Sequence, residues 1–465
     1  MARVFLVNPP SLEPVRTPLL SFAYLAAALE RGGHEVALLD AAAPHAPHGT
    51  DQIRSCLAAF APDLVGIHLK TQQVQPGYAL ARALAPDFRL VAGGPHATVA
   101  PIEALEEGFP LVVRGEGEEA LVELADAVDS GGALAAILGL AFVDGNGRTV
   151  LTPGRGFLAD LDGLASPVPA LRHFDPRWYG SAQPVPFAGI LASRGCPAAC
   201  TFCANNVTGR RFRYRSAELI AAEIGELRRS WGLGAFSFFD DSFAVGRRRL
   251  LELAAALAAI RSPPWSCTAH PSHLDPDILE AMKRGGCGGL DIGMESGDPE
   301  RLLTIGKGVT VSRVLDVLRW CRTTGLHVVV NLMFGWPGET EAELDHTAAF
   351  MEQACELGAM FNARGVAVPY PGTELYDDHH RRFGFTEWWR REPSLDYRPF
   401  PASWSRAEIE RAYADDPALE RNFFALPPNV TARIASLLER KARLTYDRLA
   451  LPFDAPGSPA AAGAR

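Results

Sequence analysis

The run Ser193-Arg194-Gly195-Cys196-Pro197-Ala198-Ala199-Cys200-Thr201-Phe202-Cys203 follows an apolar, strand-like stretch at Phe187 to Ala192 and gathers three of the eight cysteines at a Cys-x3-Cys-x2-Cys spacing. A tight loop with this spacing lets three thiolates converge on one inorganic cluster, and Gly195 and Pro197 shape the backbone that curls round it. Three thiolates leave a fourth iron of such a cluster open. The alternative is an incomplete zinc site or three ordinary buried thiols. Structural zinc takes four protein ligands, and no fourth Cys or His lies close by to complete a site.

The chain around this loop has 465 residues, enough for two or three domains with large buried cores. A hydrophobic content of 48% and a charged content of 21% are ordinary for a globular protein. The net charge of -9 argues against broad binding of a phosphate backbone, so no nucleic-acid substrate is expected. Arg210, Arg211, Arg213 and Arg215 form a local basic stretch that either holds an anionic group or stands as a solvated loop. No apolar stretch is long enough to span a bilayer, and the opening residues run straight into a strand, so the expected location is cytoplasmic, away from membranes. Cys56, Cys267, Cys287, Cys321 and Cys355 are scattered in apolar surroundings and read as reduced core thiols.

Before the loop, apolar strand patterns alternate with helical periodicity. Strands at Arg3 to Val7, Glu35 to Leu39, Leu64 to His68, Leu90 to Ala92 and Leu111 to Arg114 are separated by helices near Leu19 to Arg31, Ile53 to Phe60 and Tyr78 to Leu84, with another over Glu118 to Val128. This pattern predicts an α/β domain with a doubly wound, Rossmann-like parallel sheet over residues 1–145. Ligands of such sheets sit beyond the carboxyl ends of the strands, at Asn8-Pro9-Pro10, His68 to Thr71, Gly93-Gly94-Pro95-His96 and Gly115 to Glu118. No Gly-x-Gly-x-x-Gly follows the first strand, which makes a dinucleotide a poor ligand. Paired glycines let backbone approach a large flat ligand; a tight turn needing positive φ is the structural alternative. Residues 146–185, rich in Gly and Pro, read as a linker or strap in which Trp178 and Tyr179 pack.

After the loop the alternation resumes and predicts a partial parallel (β/α)6 barrel over 186–375, with chemistry at the carboxyl ends of its strands. Those ends carry Asp240-Asp241-Ser242, Glu295, Asn331, Phe334 to Thr340 and Val368 to Thr373. Residues 376–465 form a small, mostly α-helical segment rich in aromatics: Phe383, Phe385, Trp388, Trp389, Tyr397, Phe400 and Trp404. Helices are expected near Arg406 to Ala414 and Val430 to Leu449, with a disordered tail from Ala455. These aromatics either cover the barrel mouth as a lid or glue the segment to the barrel.

The cysteine loop, with Phe202 directly before its last cysteine, resembles the cluster loop of radical S-adenosylmethionine (SAM) enzymes. The resemblance implies a [4Fe-4S] cluster on Cys196, Cys200 and Cys203, with SAM chelated to the open iron. It implies Asp240 or Asp241 at the SAM amino group, Glu295 at its ribose, and Asn331, Gly335 and Pro369 along the adenosine. The first-domain loops resemble the cobalamin-binding domain fused to many of these enzymes, which implies cobalamin contacts at Asn8, Pro9, His68, Thr71, Gly93, Gly94, Pro95, His96, Gly115 and Glu116. The Asp-x-His-x-x-Gly of histidine-ligated cobalamin proteins is missing from the first loop. His68 then either approaches the lower face or nucleotide tail or packs at the loop mouth.

The family resemblance implies a C-methyltransferase. An electron splits SAM to a 5′-deoxyadenosyl radical, the radical takes a hydrogen atom from an unactivated carbon of a small-molecule, natural-product substrate, and methylcobalamin methylates that carbon. A second SAM restores the methyl carrier, and a flavodoxin or ferredoxin is the implied electron donor. Rival readings are an oxidative cyclase or rearrangement enzyme with the same cofactors, a non-catalytic corrinoid-binding protein, and a methylthiotransferase. Against the last, acting on RNA or protein, the N-terminal domain of this chain lacks the cysteine set needed for a second cluster.

Overall fold

A computed structural model describes residues 1–11, 17–180, 187–205, 207–362, 365–391 and 422–449. The expected helix at 406–414, the aromatics Tyr397, Phe400 and Trp404, and the tail from 455 lie outside these residues.

The first sheet has seven strands in the order β2-β1-β3-β4-β5-β6-β7. Its parallel part comprises β1 (Arg3–Asn8), β2 (Glu35–Asp40), β3 (Leu64–His68), β4 (Leu90–Gly93) and β5 (Leu111–Val113). These strands are almost wholly buried, as parallel strands covered on both faces must be. Helices α1 (Leu20–Arg31), α2 (Thr50–Phe60), α3 (Val74–Leu84), α4 (Pro95–Val99), α5 (Pro101–Glu106) and α6 (Gly117–Ser130) follow the strands in turn. Helix α1 packs on α6 and α2 on α3, the two-sided covering of a doubly wound sheet. Strand order reverses between β1 and β3, which places the ligand crevice there. Two antiparallel strands, β6 (Leu140–Val143) and β7 (Thr149–Leu151), extend the sheet, and β7 lies inside the Gly-rich stretch that the sequence pattern reads as linker.

The strap that follows wraps the first domain. Arg172 and His173 grip Glu30 on α1, Arg31 donates to the Gly163 carbonyl at 2.7 Å, and the Tyr179 hydroxyl donates to Asp40 at 2.8 Å.

The second sheet is parallel and six-stranded, in sequential order β15-β14-β13-β12-β11-β8, the arrangement of an opened barrel. Its strands are β8 (Phe187–Ile190), β11 (Ala235–Phe238), β12 (Trp265–Ala269), β13 (Cys287–Glu295), β14 (His327–Leu332) and β15 (Met360–Phe361). A small antiparallel ribbon of β9 (Ser193–Arg194) and β10 (Arg213–Tyr214) frames the cysteine loop. Outside run α7 (Ala217–Trp231), α8 (Arg247–Ala259), α9 (Pro276–Arg284), the short α10 (Pro299–Thr304), α11 (Val311–Thr324) and α12 (Glu341–Glu356). After α13 (Glu374–Phe383) and α14 (Trp388–Arg391), the last helix α15 (Pro428–Leu449) packs on α12 and β15 and completes the outer ring.

The barrel strands alternate in the way a two-faced sheet demands. On β14, Val328, Val330 and Leu332 are buried while Val329 and Asn331 are half-buried. Burial raises the Cys321 thiol on α11, with the charge of Cys287 on β13 adding to it, so this end of β13 lies against α11. Among the described residues, no helix is long and apolar enough to cross a membrane.

Candidate active site between the two sheets

A cavity of about 520 Å³ opens at the carboxyl ends of the first sheet. One wall carries His68, Gly93, Gly94, Pro95, Gly115 and Glu116; the opposite wall carries Leu191, Arg194, Phe239 and Asp241 from the barrel. The two domains therefore share it. Leu6, Gly66 and Val91 line its depth, so an apolar slot enters the crevice between β1, β3 and β4.

The glycines are required by shape. Gly94 sits at φ 100° and ψ −176°, and a Cβ there would fall 2.6 Å from His68 Nδ1 and 2.9 Å from the Leu69 carbonyl oxygen. A Cβ on Gly93 would meet nothing within 4 Å and would project into open space. Burial drives the His68 pKa down to about 3, with Lys70 adding to the effect, so the ring is neutral at ordinary pH. Its Nε2 is buried and has no hydrogen-bond partner among the described residues, while Phe22 packs edge-on at 5.9 Å. In this conformation His68 packs at the loop mouth and Nε2 does not face the cavity. A roomy, largely apolar slot with glycine-edged loops fits a corrinoid and its tail.

Four residues expected at this site lie outside its wall. Asn8 is buried and donates to Asp40 at 2.7 Å, and Pro9 packs toward α3 near Gly77. Burial pushes the Asp40 carboxyl up, against the hydrogen bonds from Asn8 and Tyr179. Thr71 and His96 turn away into a buried polar cluster. His96 Nδ1 lies 3.1 Å from the Thr71 hydroxyl, and its Nε2 lies 3.2 Å from both Tyr78 and Glu103. Trp389 Nε1 donates to Glu103 at 3.0 Å. Burial raises the Glu103 carboxyl, but His96, Tyr78 and Trp389 together hold it below its ordinary value. This cluster ties the first domain to the C-terminal segment, where Phe383, Phe385 and Trp388 pack with Phe423 and Phe424.

The cysteine loop is held on all sides. Gly195 has φ 86°, and a Cβ there would lie 2.2 Å from the Arg211 carbonyl oxygen. Cys196 N donates to the Gly209 carbonyl at 3.1 Å, Gly195 N to Asp241 at 2.7 Å, and Thr201 N to the Ile305 carbonyl at 3.0 Å. Asp240 accepts from Ala192 N at 2.8 Å and from the Ser193 hydroxyl; burial pushes its pKa up to about 6 despite Arg249 nearby. Both acids at the end of β11 thus brace the loop, and Asp241 alone of the two also lines the cavity.

Cys200 senses the charge of Cys196, and Cys203 that of both. Burial raises Cys200, and raises Cys203 to about 11, while Lys307 opposes both. Among the described residues no three such side chains converge as on a single ion. Three soft sulfur donors on one loop are the donor set for three irons of a cluster, whereas structural zinc takes four protein ligands.

The residues expected along SAM at the later strand ends, Glu295, Asn331, Gly335 and Pro369, are not part of the cavity lining; Glu295 and Trp336 lie beside the cysteine loop instead. Glu295 adopts φ 68° at a register shift in β13 and pairs with Lys307 at 2.9 Å. Asn331 is half-buried near the end of β14, and the amides of Gly335 and Trp336 donate to Glu339 at 2.6 and 3.3 Å. Burial pushes Glu339 up to about 7. Trp336 packs on Phe202 of the cysteine loop at 5.3 Å, and the Pro369 carbonyl accepts from Trp388 Nε1 at 2.8 Å. Sequence reasoning missed Lys307, Phe239 and the roles of Arg194 and Arg213. Of the basic stretch, Arg213 and Arg215 are buried in ion pairs, with Glu116 and Glu223; the others are exposed.

Comparison with known proteins agrees with this geometry. The model of the radical SAM superfamily matches residues 190–351, and that of the B12 binding domain matches 15–125. An uncharacterized methyltransferase of Pyrococcus horikoshii is 31% identical over 388 residues, covering 81% of this chain and 82% of its own. The anaerobic magnesium-protoporphyrin IX monomethyl ester cyclase of Rubrivivax gelatinosus is 26% identical, covering 77% of this chain and 65% of its own. The radical SAM methyltransferase TsrM of Kitasatospora setae, solved with cobalamin and a [4Fe-4S] cluster, shares the fold with a TM-score of 0.69 at 22% identity, covering 89% of this chain and 82% of its own. The cofactors of this protein are SAM, a [4Fe-4S] cluster and cobalamin, and the chain belongs to the cobalamin-dependent radical SAM methyltransferase family.

Proposed function

We propose that the protein methylates an unactivated carbon of a small molecule, a natural-product intermediate being the class to test first, with electrons from a flavodoxin- or ferredoxin-type donor. The observation that carries this reading is the shared cavity, whose far wall is built from Leu191, Arg194, Phe239 and Asp241 beside the cysteine loop. When bound, SAM at the reduced cluster supplies a hydrogen-abstracting radical and cobalamin supplies a transferable methyl group.

The chain's own residues orient and exclude water. Cys196, Cys200 and Cys203 hold the cluster; Asp241 and Asp240 fix the loop that carries them. Glu295, paired with Lys307 beside the cysteine loop, would offer carboxylate oxygens to hydroxyl groups of SAM. Gly93, Gly94 and Gly115 let the first-domain backbone approach the macrocycle. Radical chemistry needs orientation and dryness rather than proton transfer, so no general base is assigned.

A second reading, oxidative cyclisation without net methyl transfer, is favoured by the similarity to the Rubrivivax gelatinosus cyclase. The two separate on one experiment. The anaerobically reconstituted enzyme is incubated with SAM and a panel of small-molecule candidates, with and without cobalamin. A methylated product that forms only with cobalamin supports methyl transfer; a dehydrogenated or ring-closed product without added carbon supports the cyclase.

A further inference from the structure

Arg194 belongs to the cysteine loop, yet its side chain is spent on the other domain. Its guanidinium donates to Glu116 at 3.0 Å and to Glu118, both at the start of α6. Arg213, on the strand paired with Arg194, donates to Glu116 at 2.7 Å and to the carbonyls of Leu158 and Thr208, each at 2.8 Å. Leu158 N returns a hydrogen bond to Glu116 at 2.7 Å. All four charged side chains are buried, and Tyr24 of α1 lies under the Arg194 guanidinium at 5.6 Å. Two carboxylates and two guanidinium groups balance, so the cluster of charges is neutral and saturated with partners. Breaking a buried set of this kind on one side leaves an uncompensated charge, so the two domains are locked at this point.

Position gives the lock a function. Glu116, Glu118 and Arg194 line the shared cavity, as does Asp241, which accepts from Gly195 N at 2.7 Å. A ligand filling the cavity therefore touches both the interdomain ion pairs and Asp241, the carboxylate that fixes the backbone leading into Cys196. We propose that Glu116, Glu118, Arg194 and Arg213 couple the two cofactor sites: a filled corrinoid cavity holds the cysteine loop closed on its cluster, with Arg194 as the positioning residue. Coupling between two binding sites is reciprocal, so the cluster tightens corrinoid binding by the same factor by which the corrinoid tightens cluster binding. The device concerns cofactor retention and does not depend on whether the final product is methylated or cyclised.

The test uses the full-length protein reconstituted with iron and sulfide under anaerobic conditions. The cluster retained at equilibrium against graded concentrations of a chelator is measured with and without saturating hydroxocobalamin, and hydroxocobalamin affinity is measured on cluster-loaded and cluster-free protein. The expected coupling is about 10-fold in each direction, within the range usual for linked sites. In Arg194→Gln and Glu118→Gln the factor falls to within about 2-fold of unity while each cofactor still loads alone, and Arg194→Lys restores part of it. A purely structural role would lower loading of both cofactors and leave the factor unchanged. A parent protein whose cluster loss ignores hydroxocobalamin overturns the proposal on its own, whatever the variants do. An undiminished factor in both Gln variants overturns it as well.

Discussion

Gly93 and its neighbour Gly94 allow the cavity assignment to be separated from folding. Gly93 ends β4 without positive φ, and a Cβ there meets no heavy atom within 4 Å because it points into the cavity. Gly93→Val therefore adds a β-branched side chain where strand geometry welcomes it, with no collision inside the protein. The added methyl groups instead occupy space that a corrinoid needs. Overpacking of this size costs about 1 to 3 kcal/mol, which lowers affinity by about 5- to 150-fold. Gly94→Ala behaves oppositely: its φ of 100° with ψ of −176° is territory that only glycine occupies readily, at a conformational cost of about 1 to 3 kcal/mol. The new Cβ also strikes His68 and the Leu69 carbonyl. The assay pairs a hydroxocobalamin titration followed by absorbance with thermal unfolding of each apoprotein. The expected pattern is a parental melting temperature with weakened binding for Gly93→Val, and a lowered melting temperature for Gly94→Ala. Parental hydroxocobalamin affinity in a folded Gly93→Val protein would refute the assignment of the cavity.

Cys200→Ala is expected to abolish the cluster chromophore and 5′-deoxyadenosine formation while hydroxocobalamin still binds, as measured by absorbance and product chromatography. Lys307→Met strands the buried Glu295 carboxylate and should lower stability to denaturant by about 3 to 5 kcal/mol, with Lys307→Arg losing less. A buried carboxyl with a raised pKa makes the folded chain the tighter proton binder. Its stabilising effect is complete below the unfolded pKa and is lost as pH rises through the folded one. For Glu339, raised from 4.5 to about 7, that window runs from about pH 4.5 to 7, and Glu339→Gln should flatten apoprotein stability across it by about 3 kcal/mol in denaturant titrations. Trp389→Phe removes the indole donor to Glu103 and should cost about 1 to 3 kcal/mol, read as a lower melting temperature.

Much of the architecture is visible in sequence because its signals are local. Cys-x3-Cys-x2-Cys, the paired glycines after an apolar strand and the acids that end β11 and β13 each sit within a few residues of the feature they serve. Glu295 and Asp241 both come near the cysteine loop because a parallel barrel presents every strand end on one side. What was not legible depends on partners far along the chain. Thr71 and His96 sit on cavity-side loops, yet Thr71 bonds His96 and His96 bonds Glu103, which also accepts from Trp389, 286 residues beyond it. Asn8 likewise serves Asp40, because a buried carboxyl demands donors. Glu116 reads as a ligand contact from its loop, but its oxygens are claimed by Arg194 and Arg213 from the other domain. Lys307 follows a short helix with no motif of its own, and only the fold brings it beside Glu295 and the thiols.

The account stands or falls on the fate of one methyl group. The cobalamin-loaded enzyme, reduced anaerobically with SAM carrying a deuterated methyl group, should give a small-molecule product that holds the label on carbon, together with 5′-deoxyadenosine that has gained one substrate hydrogen. Sustained 5′-deoxyadenosine formation with a converted but unlabelled product would contradict it.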